Sequence, residues 1–148
     1  MHYLEDLPLG TTIDCGSFRL SRAEIIAFAG RYDPQPFHLD EAAAQASHFR
    51  GLCASGVQSQ AVALGLMVRA LPGVAFVAGY SLHEARFFAP VRPDTSYRVR
   101  ASWADATPSP RDASRGRASI TGEARDDQGT LVMTFGVTYV VARRPAGL

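Results

Sequence analysis

The chain contains no lysine: its 15 basic residues are all arginine, set against 14 acidic ones for a formal net charge of +1. A lysine Schiff base or lysine general base is thereby excluded. No block is strongly basic, which gives a nucleic-acid surface little support. Cysteine is scarce. Cys15 and Cys53 lie far apart and outside metal-ligand spacing, and read as small buried hydrophobes rather than a disulfide or a nucleophile. His2, His38, His48 and His83 likewise lack ligand spacing, so no metal site is expected. The longest apolar stretch, Ala61 to Leu71, is interrupted by Arg69 and is too short to span a bilayer. Met1 to Gly10 carries Glu5 and Asp6 and lacks a basic-then-apolar leader pattern, so the expected location is cytoplasmic, with no membrane partner. What remains is one globular domain over 1–148, with 47% hydrophobic and 20% charged residues.

The pattern along the chain is helical first and extended later. Thr11 to Leu20 reads as an extended segment. Ser21-Arg22-Ala23-Glu24 is a capping box, followed by Ile25, Phe28, Ala29 and Tyr32 on one face. Pro34 disfavours helix at Asp33, and Pro34-Gln35-Pro36-Phe37 reads as a stiff, non-helical linker. Asp40 can cap a short helix through Ala46, and His48 to Leu52 form a loop. Ser55 then opens a long helix, Gly56 to Leu71. Beyond its first turn that helix is apolar nearly all round, the pattern of one buried on every side. After Pro72 the period becomes two: a strand within Ala75 to Phe88, then alternation through Tyr97–Trp103, Ala118–Ala124 and Leu131–Val141. An antiparallel sheet with one wet face, curled round the long helix, is the α+β architecture expected.

Chemistry concentrates in the run from Phe28 to Asp40. Asp33 ends a helix and His38 follows five residues later across two prolines, a rigid spacer that lets a carboxylate and an imidazole meet one small molecule at little entropic cost. Such a pair suits holding a water and moving its proton. Asp-Pro is also an ordinary turn former, and a histidine is more often a structural hydrogen-bonding residue. Spacing by itself favours these structural readings over the chemical one. Gly56, at the start of the long helix, offers free N–H groups and the positive end of a dipole to a developing oxyanion. Ser55-Gly56 could equally be a cap beside a packing contact.

The run Asp33-Pro34-Gln35-Pro36-Phe37-His38 resembles the hydratase signature D-x-N-P-[LIV]-H of the MaoC-like dehydratases. Leu39 to Ala44, Phe49 to Val57, and the stretch Ala85 to Thr95 (similar to R-F-x-x-P-V-x-P-G-D-T) match later segments of that family in order. The resemblance implies a single hot-dog domain, with Asp33 and His38 as the catalytic pair that activates water. That water would add to a trans-2-enoyl thioester to give an (R)-3-hydroxyacyl thioester, or leave in the reverse dehydration. It implies that Gly56 presents its amide to the thioester carbonyl, with Ser55, Phe37 and Gln35 against the substrate. No cofactor is implied, since CoA or an acyl-carrier protein enters as part of the substrate. A homodimer is implied as well. Gln35 stands for the usual asparagine, Phe37 for a smaller aliphatic, and Ser55 for the histidine that commonly precedes the glycine. Pro93-Asp94-Thr95 lacks the usual glycine. Two alternatives belong to other classes: a hot-dog thioesterase, for which Glu84 is the one acid on the probable second strand, and a non-catalytic acyl-thioester-binding subunit. Arg86, Arg92, Arg98 and Arg100 are either phosphate contacts or simply solvated.

Overall fold

The computed structural model describes residues 1–147. A five-stranded antiparallel sheet has the order β1-β3-β4-β5-β2, with β1 Ile13–Arg19, β2 Phe76–Phe87, β3 Ser96–Pro108, β4 Arg115–Asp126 and β5 Leu131–Ala142. Four helices lie between the first two strands: α1 Arg22–Tyr32, α2 Pro36–Leu39, α3 Glu41–Ala46 and α4 Gly56–Arg69. The alternation read from the sequence is the pleat itself. Tyr97, Val99, Ala101 and Trp103 of β3 and Ala118, Ile120 and Ala124 of β4 point inward and are buried, and Met133, Phe135, Val137 and Val141 of β5 continue that face. Against it lies α4, whose Ala63 and Met67 are wholly enclosed. This is the hot-dog arrangement, a sheet curled about one long helix.

Two expectations about helices need correction. Pro36 to Leu39 is a helical turn rather than a rigid extended link. Proline at the first helical position forfeits no hydrogen bond there and presets the helical φ, and Asp40 N–H closes the turn onto Pro36 C=O at 3.0 Å. The long helix ends at Arg69, with Ala70 as its cap, and it is not buried on all sides: Val57 is 60% exposed and Val68 41%. Its apolar circumference exceeds what one sheet covers.

The edge strand β2 carries the same surplus. Val77, Tyr80, Leu82 and Phe87 are each at least half exposed, and only β5 pairs with β2. Bulges shift its register three times, the last between His83 and Arg86, where Glu84 adopts φ +52°. At the turn into β3, Asp94 takes φ +55°, in the left-handed region. A short polar side chain tolerates it better than most, and its N–H is fixed to Leu20 C=O at 2.8 Å.

Candidate active site

The Ser21–Glu24 box starts α1 with both reciprocal bonds made, and Asp33 ends it with its N–H on Ala29 C=O. Pro34 stops further winding, and the chain re-enters helix at Pro36, so that His38 turns inward, 5% exposed, facing the Asp33 carboxylate. His38 Nε2 lies 3.6 Å from Asp33 Oδ2. The other ring nitrogen, Nδ1, is 2.7 Å from the backbone carbonyl of Cys53. A carbonyl only accepts, so Nδ1 carries a proton, and Nε2 is the ring nitrogen that faces Asp33. The loop supplying that carbonyl is anchored by backbone bonds from Cys53 N–H to Phe37 C=O and Ala54 N–H to Val91 C=O.

Ser55 caps α4 and reaches across 22 residues to the same carboxylate. Its Oγ donates to Asp33 Oδ2 at 2.6 Å and accepts from Val57 N–H at 3.2 Å. Gln35 Nε2 donates to Asp33 Oδ1 at 2.8 Å. These two bonds, Ser55's first, hold the Asp33 carboxyl below the usual carboxylate range. Partial burial opposes the shift and nearby His38 adds to it. Burial pushes the Cys53 thiol up, so it stays protonated beside the ring.

A cleft of about 650 Å³ opens over the pair. Asp33, His38, Gln35 and Gly56 face it, and Phe37, Phe49, Phe87 and Phe88 give it aromatic walls. Phe37 packs edge-on against the His38 ring, with centroids 4.7 Å apart. Gly56 N–H has no acceptor among the described residues, and a Cβ at this position would stand 2.7 Å from the Phe87 ring. Of the six site residues expected from the sequence, five line this cleft. Ser55 does not: fully buried, it spends its hydroxyl on Asp33.

Sequence reasoning did not find Cys53, whose contribution is a backbone carbonyl, or Arg92. The Arg92 guanidinium binds the carbonyls of Gly51 (2.8 Å), Leu52 (3.4 Å) and Phe49, pinning the loop that brings Phe49 over the cleft. It is therefore spent on structure. Arg98 is likewise paired with Asp14. Glu84 lines a second concavity with His83, Arg100 and Glu123 and is not among the residues that line the Asp33–His38 cleft. Among the described residues, no three histidine, cysteine, aspartate or glutamate side chains converge to hold a metal, and no helix is long and apolar enough to cross a membrane.

Residues 7–122 match the family model described as MaoC like domain. The uncharacterized protein YdeM of Bacillus subtilis is 34% identical over 92 residues, 62% of this chain and 65% of that protein's length. The crystal structure of a MaoC-like dehydratase from Rhodospirillum rubrum is 35% identical and superposes with a TM-score of 0.88, covering 98% of this chain and 99% of that one. The (R)-hydratase from A. caviae, described as involved in PHA biosynthesis, shares the fold at 22% identity and a TM-score of 0.73, over 95% of this chain and 99% of that one.

Proposed function

Because the chain belongs to the MaoC-like domain family, whose matched residues contain the whole Asp33–His38 cleft, we propose that it is a hydratase or dehydratase of acyl thioesters. It would act in the cytoplasm as a homodimer, interconverting trans-2-enoyl-CoA, or the carrier-protein equivalent, and the (R)-3-hydroxyacyl thioester. One observation carries the reading. A carboxylate and an imidazole nitrogen 3.6 Å apart face a cleft beside the unpaired amide at the start of α4. A water held between carboxylate and imidazole could attack C3. The negative charge displaced onto the thioester oxygen would meet the Gly56 N–H and the positive end of the helix dipole, the kind of fixed donor worth ~3 kcal/mol in such reactions. Phe37, Phe49 and Phe87 supply apolar walls for an acyl chain.

The dimer has its own support. β2 leaves its outer edge unpaired and its apolar side chains in water, as does the face of α4 bearing Val57 and Val68. A second copy adding its β2 alongside would satisfy the edge and cover both.

Incubation with crotonyl-CoA, following loss of the enoyl absorbance, tests the activity. Asp33→Asn and His38→Ala should each lower it at least ~10²-fold while the circular dichroism spectrum is retained, the scale of positioned acid–base groups. Full activity in either folded variant would refute the assignment, and release of free thiol without hydration would point instead to a thioesterase.

A further inference from the structure

We propose that Ser55 and Gln35 are positioning residues that lock Asp33 as an orienter of water, leaving His38 Nε2 as the one group that carries the proton. The inference rests on the hydratase reading above and divides the labour within it. Each oxygen of the Asp33 carboxylate already receives a donor from the protein, Oδ1 from Gln35 and Oδ2 from Ser55. The direction of the Ser55 bond is fixed. Its hydroxyl accepts from Val57 N–H, so its single hydrogen is free for Asp33. A proton added to either carboxylate oxygen would compete with one of these donors, so the arrangement favours the ionised form. The second lone pair of each oxygen stays available to a water. The depressed carboxyl titration noted above agrees with this.

The two donors come from separate parts of the chain, Gln35 from the link into α2 and Ser55 from the cap of α4, so their agreement on one carboxylate also fixes its rotamer. They are also two of the positions at which this chain departs from the pattern it resembles, Gln35 within the signature and Ser55 in the later segment before Gly56. His38 complements them. With Nδ1–H held by the Cys53 carbonyl, only Nε2 can accept. In hydration, a water O–H breaks and its proton passes to Nε2 as the oxygen bonds to C3. The C2–C3 π pair moves onto C2 and the thioester oxygen. Nε2 then gives its proton to C2, the electrons return to form the C2–H bond, and His38 is neutral again. Asp33 stays ionised throughout, and its charge 3.6 Å away stabilises the transient imidazolium. The other titratable or charged groups at the pair are the protonated Cys53 thiol, His48 on the cleft wall, and Arg92, which is committed to three carbonyls.

The test joins a titration that needs no turnover to one that does. With aspartate labelled at the carboxyl carbon, the Asp33 resonance should titrate below the usual carboxylate range in the unaltered protein. Its midpoint should rise by about one pH unit in Ser55→Ala, and in the same direction in Gln35→Ala. With crotonyl-CoA, both variants should lose kcat by ~10-fold or more with KM within about twofold. Ser55→Thr, which restores a hydroxyl, should recover both. Gln35 is exposed, so Gln35→Ala decides the matter should Ser55→Ala fail to fold. An unmoved Asp33 titration in the folded alanine variants, or a rise in KM at constant kcat, would overturn the proposal. If the unaltered protein hydrated no enoyl thioester, the functional reading would fall, while the titration would still decide whether the clamp exists.

Discussion

Adding one carbon at Gly56 tests the proposed oxyanion role of its amide most directly. An alanine Cβ there would meet three atoms of the Phe87 ring at 2.7, 2.8 and 3.0 Å. Ordinary carbon contacts lie at ~3.5–4.0 Å, so the ring has to retreat by about 1 Å. Phe87 sits at the end of an edge strand and is 52% exposed in the single chain, outside the buried core, so its ring can shift without disturbing that core. The stability penalty should fall at the low end of overpacking, ~1 kcal/mol, or roughly 2–4 °C in melting temperature. Turnover should suffer far more. The new methyl projects beside the free amide, the displaced ring reshapes the cleft wall, and a reacting group misplaced by ~1 Å forfeits ~10²-fold. Gly56→Ala should therefore melt almost like the unaltered protein yet lose about two orders of magnitude in kcat on crotonyl-CoA. Adding Phe87→Ala to the same chain removes the steric partner and should recover at least ~10-fold of that loss if the ring is what moved the thioester. Unchanged turnover in Gly56→Ala would refute the assignment of this amide. A double variant no better than the single one would refute the part given to Phe87.

The other expectations concern assembly and the loop. Light scattering at micromolar concentration should return twice the chain's 15.9 kDa, and Leu82→Arg, which places a charge on the 61%-exposed apolar edge of β2, should shift the mass toward one chain; a single-chain mass for the unaltered protein would count against edge pairing. Arg92→Met should destabilise by ~2–3 kcal/mol in urea unfolding, because the carbonyls of Phe49, Gly51 and Leu52 lose a charged donor; an unchanged urea midpoint would show the loop to be held by other means.

The fold was legible where burial is periodic. The inward residues of β3, β4 and β5 alternate without interruption, and the caps at Ser21, Asp40 and Ser55 each make the bond expected of them. That Asp33 and His38 lie together was legible too, because only a few residues separate the two, while the chemical role proposed for them rests on the resemblance. Pro36 misled as a breaker because one proline can end a helix or begin one, depending on its position in the turn. The apolar circumference of α4 misled differently. Composition records which faces need cover but not whether the same chain provides it, and Val57 and Val68 lie where this chain provides none. Ser55 and Gln35 were singled out near the substrate, yet both bond to Asp33. A contact made through space, one of them from 22 residues away, leaves no mark in local spacing.

The Cys53 carbonyl that fixes the His38 ring has a consequence for mutational tolerance. The tautomer is set by the path of the main chain rather than by any side chain, so it is written at position 53 in an atom that every amino acid carries. Exchanging the thiol for another small apolar group would leave the acceptor in place, and what must be preserved is the course of residues 52–54 between Phe37 and Val91. The histidine is thereby insulated from drift at the residue it leans on. Its vulnerability lies instead in the segments that hold the loop, Arg92 above all, so that substitutions far from the pair in sequence could reorient the imidazole while leaving Asp33 and His38 intact.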